Sequence, residues 1–376
     1  MCKGFLPEHG GQLSELAAEF GVPETSLVDF SASIDPHPPS DLVVATLCDA
    51  LRARTILTAY PDMHYVALKD AIAAYAQVDV QAISINSGVM PLLGAALSAL
   101  RPRQCLVSVP AFAEYRKVLE TCGVECCAFA STPETGFLLD GALLVARLKD
   151  SGPQVLLLAN PQSPSGRLMP ARELLQLHEA ASALGATTIV DEAFIDYAPG
   201  DSLSEWAAKS PRLIVLRSLT KFFAMPGLRI AYAVCCPEMR VAIESRIPAW
   251  PVSSIAAEAA RIVLHDRPSI ANTRATNAAE RSWLTEQLQA RGLCVFPGAA
   301  NYLLMKIDEN RNGAEFWQRL IIEHRVVLRS CANFECLDEH YFRIGVRTRS
   351  QNELLVRALK EALQPTPRSL ASQNQE

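Results

Sequence analysis

The sequence has no Cys-x-x-Cys pair among its 11 cysteines. Its closest groupings are Cys122 with Cys126 and Cys127, the adjacent Cys235 and Cys236, and Cys331 with Cys336, and none has the spacing of a zinc site. The seven histidines are scattered, so no metal centre is expected. An odd cysteine count in 376 residues is the reverse of a small disulfide-stapled secreted domain. Most of these thiols are expected to serve as small buried apolar groups. No charge sign dominates: 35 Lys and Arg against 40 Asp and Glu leave a formal charge of −5. That balance argues against nucleic acid or a membrane surface as partner. The start, MCKGFLPEHGG, lacks an apolar stretch of the kind a signal peptide needs. Val80 to Leu100 runs 21 residues without a charge, but it contains Gln81, Ser84, Asn86, Ser87, Gly88 and Pro91. It therefore reads as strand, turn and helix, not a membrane span. No internal repeat or low-complexity segment is evident. A soluble protein of the reducing cytoplasm is the expectation.

What is present is a large apolar fraction, 49% against 20% charged, in a chain long enough for two domains. QCLVSVP (104–110), QVLLLAN (154–160), TTIVDEA (187–193) and RLIVLRS (212–218) are apolar runs of strand length that end in polar residues. Helix-like segments such as 112–122 and 171–184 lie between them. This alternation predicts an α/β fold with a parallel sheet covered on both faces. Ligands of such sheets sit at the carboxyl ends of the strands, which makes Asn160, Asp191 and Ser218 candidates. Residues 1–45 are rich in Gly, Pro and Ser. From about 270 the chain returns to helix and strand patterns: 278–290, CVF, NYLLMKI, 315–324, VVLRS and YFRIGV. The expected division is an N-terminal arm and part of a small domain over 1–45, a large domain over 46–268, a C-terminal small domain over 269–364 and a polar tail over 365–376.

Three strand ends carry the chemistry. Asn160 opens NPQSPSG, Asp191 follows 31 residues later in IVDEAF, and Lys221 another 30 residues on in SLTKFFAMPGLRIAY, with Arg229 eight beyond. With this set the chain resembles the fold-type I pyridoxal-phosphate enzymes, specifically the class I/II aminotransferase family, from about His9 to about Arg349. The resemblance implies a large domain with a mostly parallel seven-stranded sheet sandwiched by helices, plus a small α+β domain. It implies pyridoxal 5'-phosphate as cofactor, with Lys221 as the amine that bonds its aldehyde and Asp191 as the carboxylate that keeps the pyridine nitrogen protonated. Asn160 would donate to the ring's 3-oxygen and Phe112 would stack on the ring. Ser218, Thr220, Arg229 and the N–H groups of Ser87, Gly88 and Val89 would hold the phosphate. Tyr60, in AYPD, would reach the same phosphate across the interface of a homodimer.

Two subgroups fit best, and both act on phosphorylated amino compounds: histidinol-phosphate aminotransferases and threonine-phosphate decarboxylases. The second makes aminopropanol phosphate for cobalamin biosynthesis. Four features resemble that subgroup: EHGGQ, DFSASIDP, FRIGVRT, and Phe194 where aminotransferases carry tyrosine. The resemblance implies that His9, Gly10, Ser33, Arg329, Arg343 and Arg347 bind the substrate's phosphate and carboxylate. Guanidinium forks match both anions. Arg343 and Arg347 are expected on one face of one strand. Asp35 is expected to repel a dianionic phosphate, which keeps serine phosphate open as an alternative substrate. A histidinol-phosphate-type aminotransferase and a cofactor-binding protein without turnover are the other readings.

Overall fold

The computed structural model describes residues 7–152 and 154–364, so the first six residues and the expected polar tail lie outside the described part. The chain divides into two compact units. One comprises the chain up to Ser33, Asn277–Phe296 and the chain from Tyr302 onward; the other comprises Ile34–Thr276 and Pro297–Asn301.

The larger unit is built on seven strands: β1 (Ile83–Asn86), β2 (Gln104–Val109), β3 (Glu125–Ala130), β4 (Val155–Ala159), β5 (Thr187–Asp191), β6 (Leu213–Ser218) and β7 (Ala231–Val234). They lie in the order β1-β7-β6-β5-β4-β2-β3. All pairings are parallel except the two made by β7, which runs antiparallel to β1 and to β6. The four apolar runs of the sequence are four of these strands. β5 and β6 are buried at every position, as strands covered on both faces must be. The period of two then sorts their side chains. Ile189, Ile214 and Leu216 join one apolar layer with Leu92, Leu93 and Tyr115, and Val190 and Val215 join the other with Ile83 and Tyr232. By the same alternation Asp191 and Ser218 emerge on the first face, and Glu192 and Arg217 on the second.

The smaller unit holds an antiparallel sheet of β8 (Cys294–Phe296), β9 (Tyr302–Lys306), β10 (Arg329–Ser330) and β11 (Tyr341–Gly345), in the order β10-β11-β9-β8. Its core gathers Leu16, Phe30, Phe316, Trp317, Leu320, Phe342 and Leu359. The run VVLRS is split: Val326–Val327 pair in parallel with Val28–Asp29, and Arg329–Ser330 pair with β11. The strand switches partners at Leu328, whose carbonyl accepts from Trp317 Nε1 at 2.8 Å.

Two boundaries differ from those expected. The N-terminal segment leaves the smaller unit at Ser33, not at 45, because the amide of Asp35 donates to the Lys221 carbonyl at 3.1 Å and helix Asp41–Arg52 packs on helix Ser254–His265. The second boundary falls inside the continuous helix Arg267–Gln289, whose Arg274 donates from Nε to the Asp196 carbonyl at 2.8 Å and so keeps the first part of the helix with the larger unit.

Candidate active site

In the larger unit the strand ends converge as a parallel sheet requires. Asn160 follows β4 directly, Asp191 closes β5 and Ser218 closes β6. The Asn160 amide N–H donates to the Asp191 carbonyl at 2.9 Å, which ties two of the ends together. The Asn160 side chain is clamped by one residue: Oδ1 accepts from Met169 N at 2.8 Å and Nδ2 donates to Met169 O at 2.9 Å. An amide nitrogen has two hydrogens, so one stays available to a ligand. The next polar residue, Gln162, is buried and donates to Ser131 Oγ at 3.0 Å; it knits the loop together.

Asp191 is buried, and burial pushes its carboxyl pKa upward. Three groups work against burial, in decreasing order: the Tyr115 hydroxyl, which donates to Oδ2 at 2.6 Å, the Ala193 amide, which donates to Oδ1 at 2.9 Å, and the positive charge of Lys221. Tyr115 was not among the residues singled out from the sequence. The signal was present in PAFAEY, where a second aromatic follows Phe112 by three residues. The two rings meet edge to face with centroids 6.0 Å apart. Phe194 is nearly buried and brings no hydroxyl.

Lys221 and Arg229 are placed by the turn that leaves β6 and returns as β7. The Leu219 amide donates to the Ile230 carbonyl at 3.1 Å and the Met225 amide to the Thr220 carbonyl at 3.2 Å, closing the turn on itself. Arg229 adopts φ 51°, a left-handed conformation that costs a non-glycine residue energy and persists only where its surroundings dictate it. Its guanidinium lies against Gly88, at the head of helix Val89–Leu100: a Cβ added at Gly88 would meet Arg229 Nη2 at 3.1 Å. The hydroxyls of Ser218 and Thr220 are 2.7 Å apart. Ser87 differs from expectation, because its N–H already donates to Asn86 Oδ1 at 2.8 Å. The helix's own free N–H groups therefore start at Gly88 and Val89.

This donor set suits a phosphorylated pyridine. A helix N-terminus, an arginine and two hydroxyls gather at one end, where glycine leaves room beside the guanidinium. A buried carboxylate, a lysine and a clamped amide gather at the other. When bound, pyridoxal phosphate supplies the electron sink that stabilises negative charge at a substrate carbon. Lys221 would hold its aldehyde carbon, Asp191 its ring nitrogen, and Arg229 with Ser218 its phosphate.

Tyr60 is 79% exposed and stacks on Trp250, with centroids 4.5 Å apart and planes at 24°. Asp35 is buried, and its Oδ1 accepts from the His37 amide at 3.0 Å and lies 3.1 Å from His37 Nδ1.

The smaller unit assembles most of the residues assigned to substrate. Arg329 and Arg343 face one another across β10 and β11. Arg329 is buried and its pKa is pushed down to about 10 by burial and by Arg343. Its Nη2 donates to the Glu8 carbonyl at 2.7 Å and to Asn333 Oδ1 at 2.9 Å. Arg343 Nη2 donates to the Ser31 carbonyl at 3.1 Å. The arm carrying His9 is no loose leader. The Gly11 amide donates to Ser31 Oγ at 2.9 Å, and a Cβ on Gly10 would lie 2.2 Å from the Ser31 carbonyl oxygen. Ser33 Oγ is buried with no hydrogen-bond partner. Arg347 lies two residues past the end of β11, so the strand alternation expected to align it with Arg343 does not reach it.

A mostly parallel seven-stranded sheet with a lysine, an aspartate and an arginine at its strand ends defines a pyridoxal-phosphate enzyme of fold type I. The chain belongs to the aminotransferase class I and II family, whose model matches residues 25–359. Pyridoxal 5'-phosphate is the cofactor of that family. The chain is 35% identical to the threonine-phosphate decarboxylase of Salmonella typhimurium strain LT2, over 96% of this chain and 97% of that protein. The solved histidinol-phosphate aminotransferase from Clostridium acetobutylicum aligns with a TM-score of 0.81 at 26% identity, covering 89% of this chain and 98% of that one. A decarboxylase from Sulfurospirillum multivorans shares the fold, with a TM-score of 0.85 at 21% identity over 96% of this chain and 94% of that one. Among the described residues no helix is long and apolar enough to cross a membrane.

Proposed function

We propose that this chain is a pyridoxal-phosphate-dependent carboxy-lyase that converts L-threonine O-3-phosphate to (R)-1-aminopropan-2-yl phosphate for cobalamin biosynthesis. The observation that carries the reading is the pair Arg329 and Arg343, two arginines that are register partners on adjacent antiparallel strands. Like charges so placed repel, and an anion with two negatively charged ends offsets that cost. The 35% identity to the Salmonella decarboxylase over nearly the whole chain supports the same assignment. In this reading His9, Arg329 and Arg347 grip the substrate phosphate, Arg343 and its neighbours fix the carboxylate, and Gly10 and Ser33 belong to the same substrate site. A decarboxylase must present the bond from Cα to the carboxylate carbon as the one that breaks, and in this reading Arg343 would orient that carboxylate. Carbon dioxide would leave, the bonding electron pair would stay with the substrate, where the bound cofactor would supply the electron sink, and Lys221 or a water would return a proton to Cα.

Phe194 supports decarboxylation over ordinary transamination, because the tyrosine usual at that position would add a second donor to the ring's 3-oxygen. The second reading, a histidinol-phosphate-type aminotransferase, draws on the 26% identity and shared fold of the Clostridium enzyme. The enzyme would act in the cytoplasm as a homodimer, with Tyr60 given to the neighbouring cofactor phosphate. Serine phosphate is the alternative substrate, with Asp35 and His37 on the loop that would choose between them.

The test is to give the purified holoenzyme threonine phosphate, serine phosphate and histidinol phosphate, and to assay carbon dioxide against glutamate exchange with 2-oxoglutarate. Carbon dioxide from threonine phosphate, lost in Lys221→Ala, is the expected result. Glutamate-dependent turnover of histidinol phosphate without carbon dioxide would replace the proposal with the second reading. No turnover of any of the three would leave a binding protein.

A further inference from the structure

The Tyr115 hydroxyl has no part in holding the cofactor directly, yet it makes a short buried hydrogen bond to the carboxylate on which the cofactor depends. Tyr115 is 2% exposed, stands near the start of helix Glu114–Thr121, and donates to Asp191 Oδ2 at 2.6 Å. The Ala193 amide donates to the other oxygen, Oδ1, at 2.9 Å. Each carboxylate oxygen has a second lone pair, so a pyridinium N–H still finds an acceptor. Both existing bonds fix the plane of the carboxylate. Both also lower its basicity, because they stabilise the ionised form more than the neutral one.

We infer that Tyr115 is a positioning residue that keeps the shared proton on the cofactor's ring nitrogen instead of on Asp191. A carboxylate buried at the end of β5 is more basic than one in water, and a more basic Asp191 competes with the pyridine for that proton. If the proton moves from nitrogen to Oδ, the ring loses its positive charge and much of its electron demand. Hydrogen-bond donation from Tyr115 opposes that transfer. The other end of the ring gives this position added weight. With Phe194 in place of a hydroxyl donor, the 3-oxygen keeps Asn160 alone of the donors assigned to it, so ring electronics depend more on the nitrogen end. The inference rests on cofactor binding and not on the choice of substrate.

The test replaces Tyr115 by Phe, which keeps the ring and its contact with Phe112, and reconstitutes the protein with pyridoxal phosphate carrying nitrogen-15 in the ring. The wild-type resonance is expected at the protonated position near neutral pH, and that of Tyr115→Phe displaced toward the unprotonated one. The cofactor dissociation constant should rise about tenfold, as expected for loss of one hydrogen bond to a charged group. With substrate present, kcat should fall while KM holds. A resonance unchanged from wild type overturns the inference, whatever happens to melting temperature or occupancy, because a merely structural role would move those and not the nitrogen. Should the Phe variant fail to fold, 3,5-difluorotyrosine at 115 keeps the shape and strengthens the donor. It must then hold the resonance at the protonated position to a higher pH than wild type does, and an unchanged pH profile overturns the inference. Since the readout needs no substrate, a failed decarboxylase assignment leaves this outcome intact.

Discussion

Arg329 and Arg343 are register partners on adjacent antiparallel strands, one buried and one half-buried, so their two positively charged side chains leave the same face of the sheet. Such a pair is destabilising by itself. It lowers the Arg329 pKa to about 10, although burial is the larger cause. Removing one member should therefore separate two effects. Arg343→Met should leave the unliganded protein as stable as wild type or slightly more so, and should raise KM for the phosphorylated substrate by about 10- to 100-fold, the worth of a charge-assisted hydrogen bond. Thermal melting with and without substrate, beside steady-state kinetics, checks both. A destabilised apoprotein with unchanged KM would make the pair structural.

The arm at His9–Gly11 can be displaced without touching an arginine. A Cβ at Gly10 would lie 2.2 Å from the Ser31 carbonyl oxygen and 2.5 Å from its carbon, both backbone atoms that cannot rotate away. Gly10→Ala should push the arm off and weaken the bond from Arg329 to the Glu8 carbonyl. A rise in KM with cofactor binding untouched is the expected signature, and hydrogen exchange at Gly11 should accelerate.

Gly88 meets a different obstacle. Its backbone is extended, so alanine is conformationally acceptable there, and the nearest atom is the mobile end of Arg229 at 3.1 Å. Gly88→Ala should fold normally and displace only the guanidinium. Loss of that contact to a phosphate should weaken pyridoxal phosphate by about tenfold in a fluorescence titration. Unchanged affinity would remove Arg229 from the phosphate site.

Asp191 carries a conflict between stability and function. Burial raises its pKa in the folded apoprotein, so the folded state binds the proton more tightly than the unfolded chain does. Stability of the apoprotein should then fall as pH rises from the unfolded carboxylate value through the raised folded one, and the deficit should persist above it. Asp191→Asn should abolish that part of the pH dependence and make the apoprotein more stable at neutral pH. It should also abolish turnover. Denaturant melts of apoprotein at several pH values decide it, and a variant less stable at neutral pH would contradict the sign.

Tyr60 and Trp250 form an exposed stack, with Trp250 at φ 54°, a backbone conformation rare for an aromatic residue. The segment after Trp250 is pinned, since the Tyr65 hydroxyl donates to the Val252 carbonyl at 2.7 Å and accepts from its amide at 3.1 Å. Trp250→Ala should therefore leave the fold intact and free Tyr60. If Tyr60 serves a neighbouring subunit's cofactor, Trp250→Ala and Tyr60→Phe should each weaken cofactor binding, and the double variant should lose less than the sum. Additive losses would uncouple the two residues.

The sequence alone determined the strand ends and the chemistry on them. Asn160, Asp191 and Ser218 end apolar runs that read as buried parallel strands, and the resemblance to the family assigned chemistry to them and to Lys221. The same periodicity located CVF, NYLLMKI and helix Gly313–His324 to within a few residues, but it began helix Arg267–Gln289 eleven residues late and gave no element to the N-terminal end, where helix Leu13–Phe20 lies. Tertiary structure decided what local pattern cannot encode. β7 lies antiparallel between β1 and β6, because pairing partners far apart in sequence are chosen by packing. Tyr115 meets Asp191 across 76 residues, because a hydrogen bond depends on distance in space and not along the chain. Arg329 and Arg343 became opposite neighbours only when β10 and β11 took their register, since a shift of one residue would have turned either side chain to the other face.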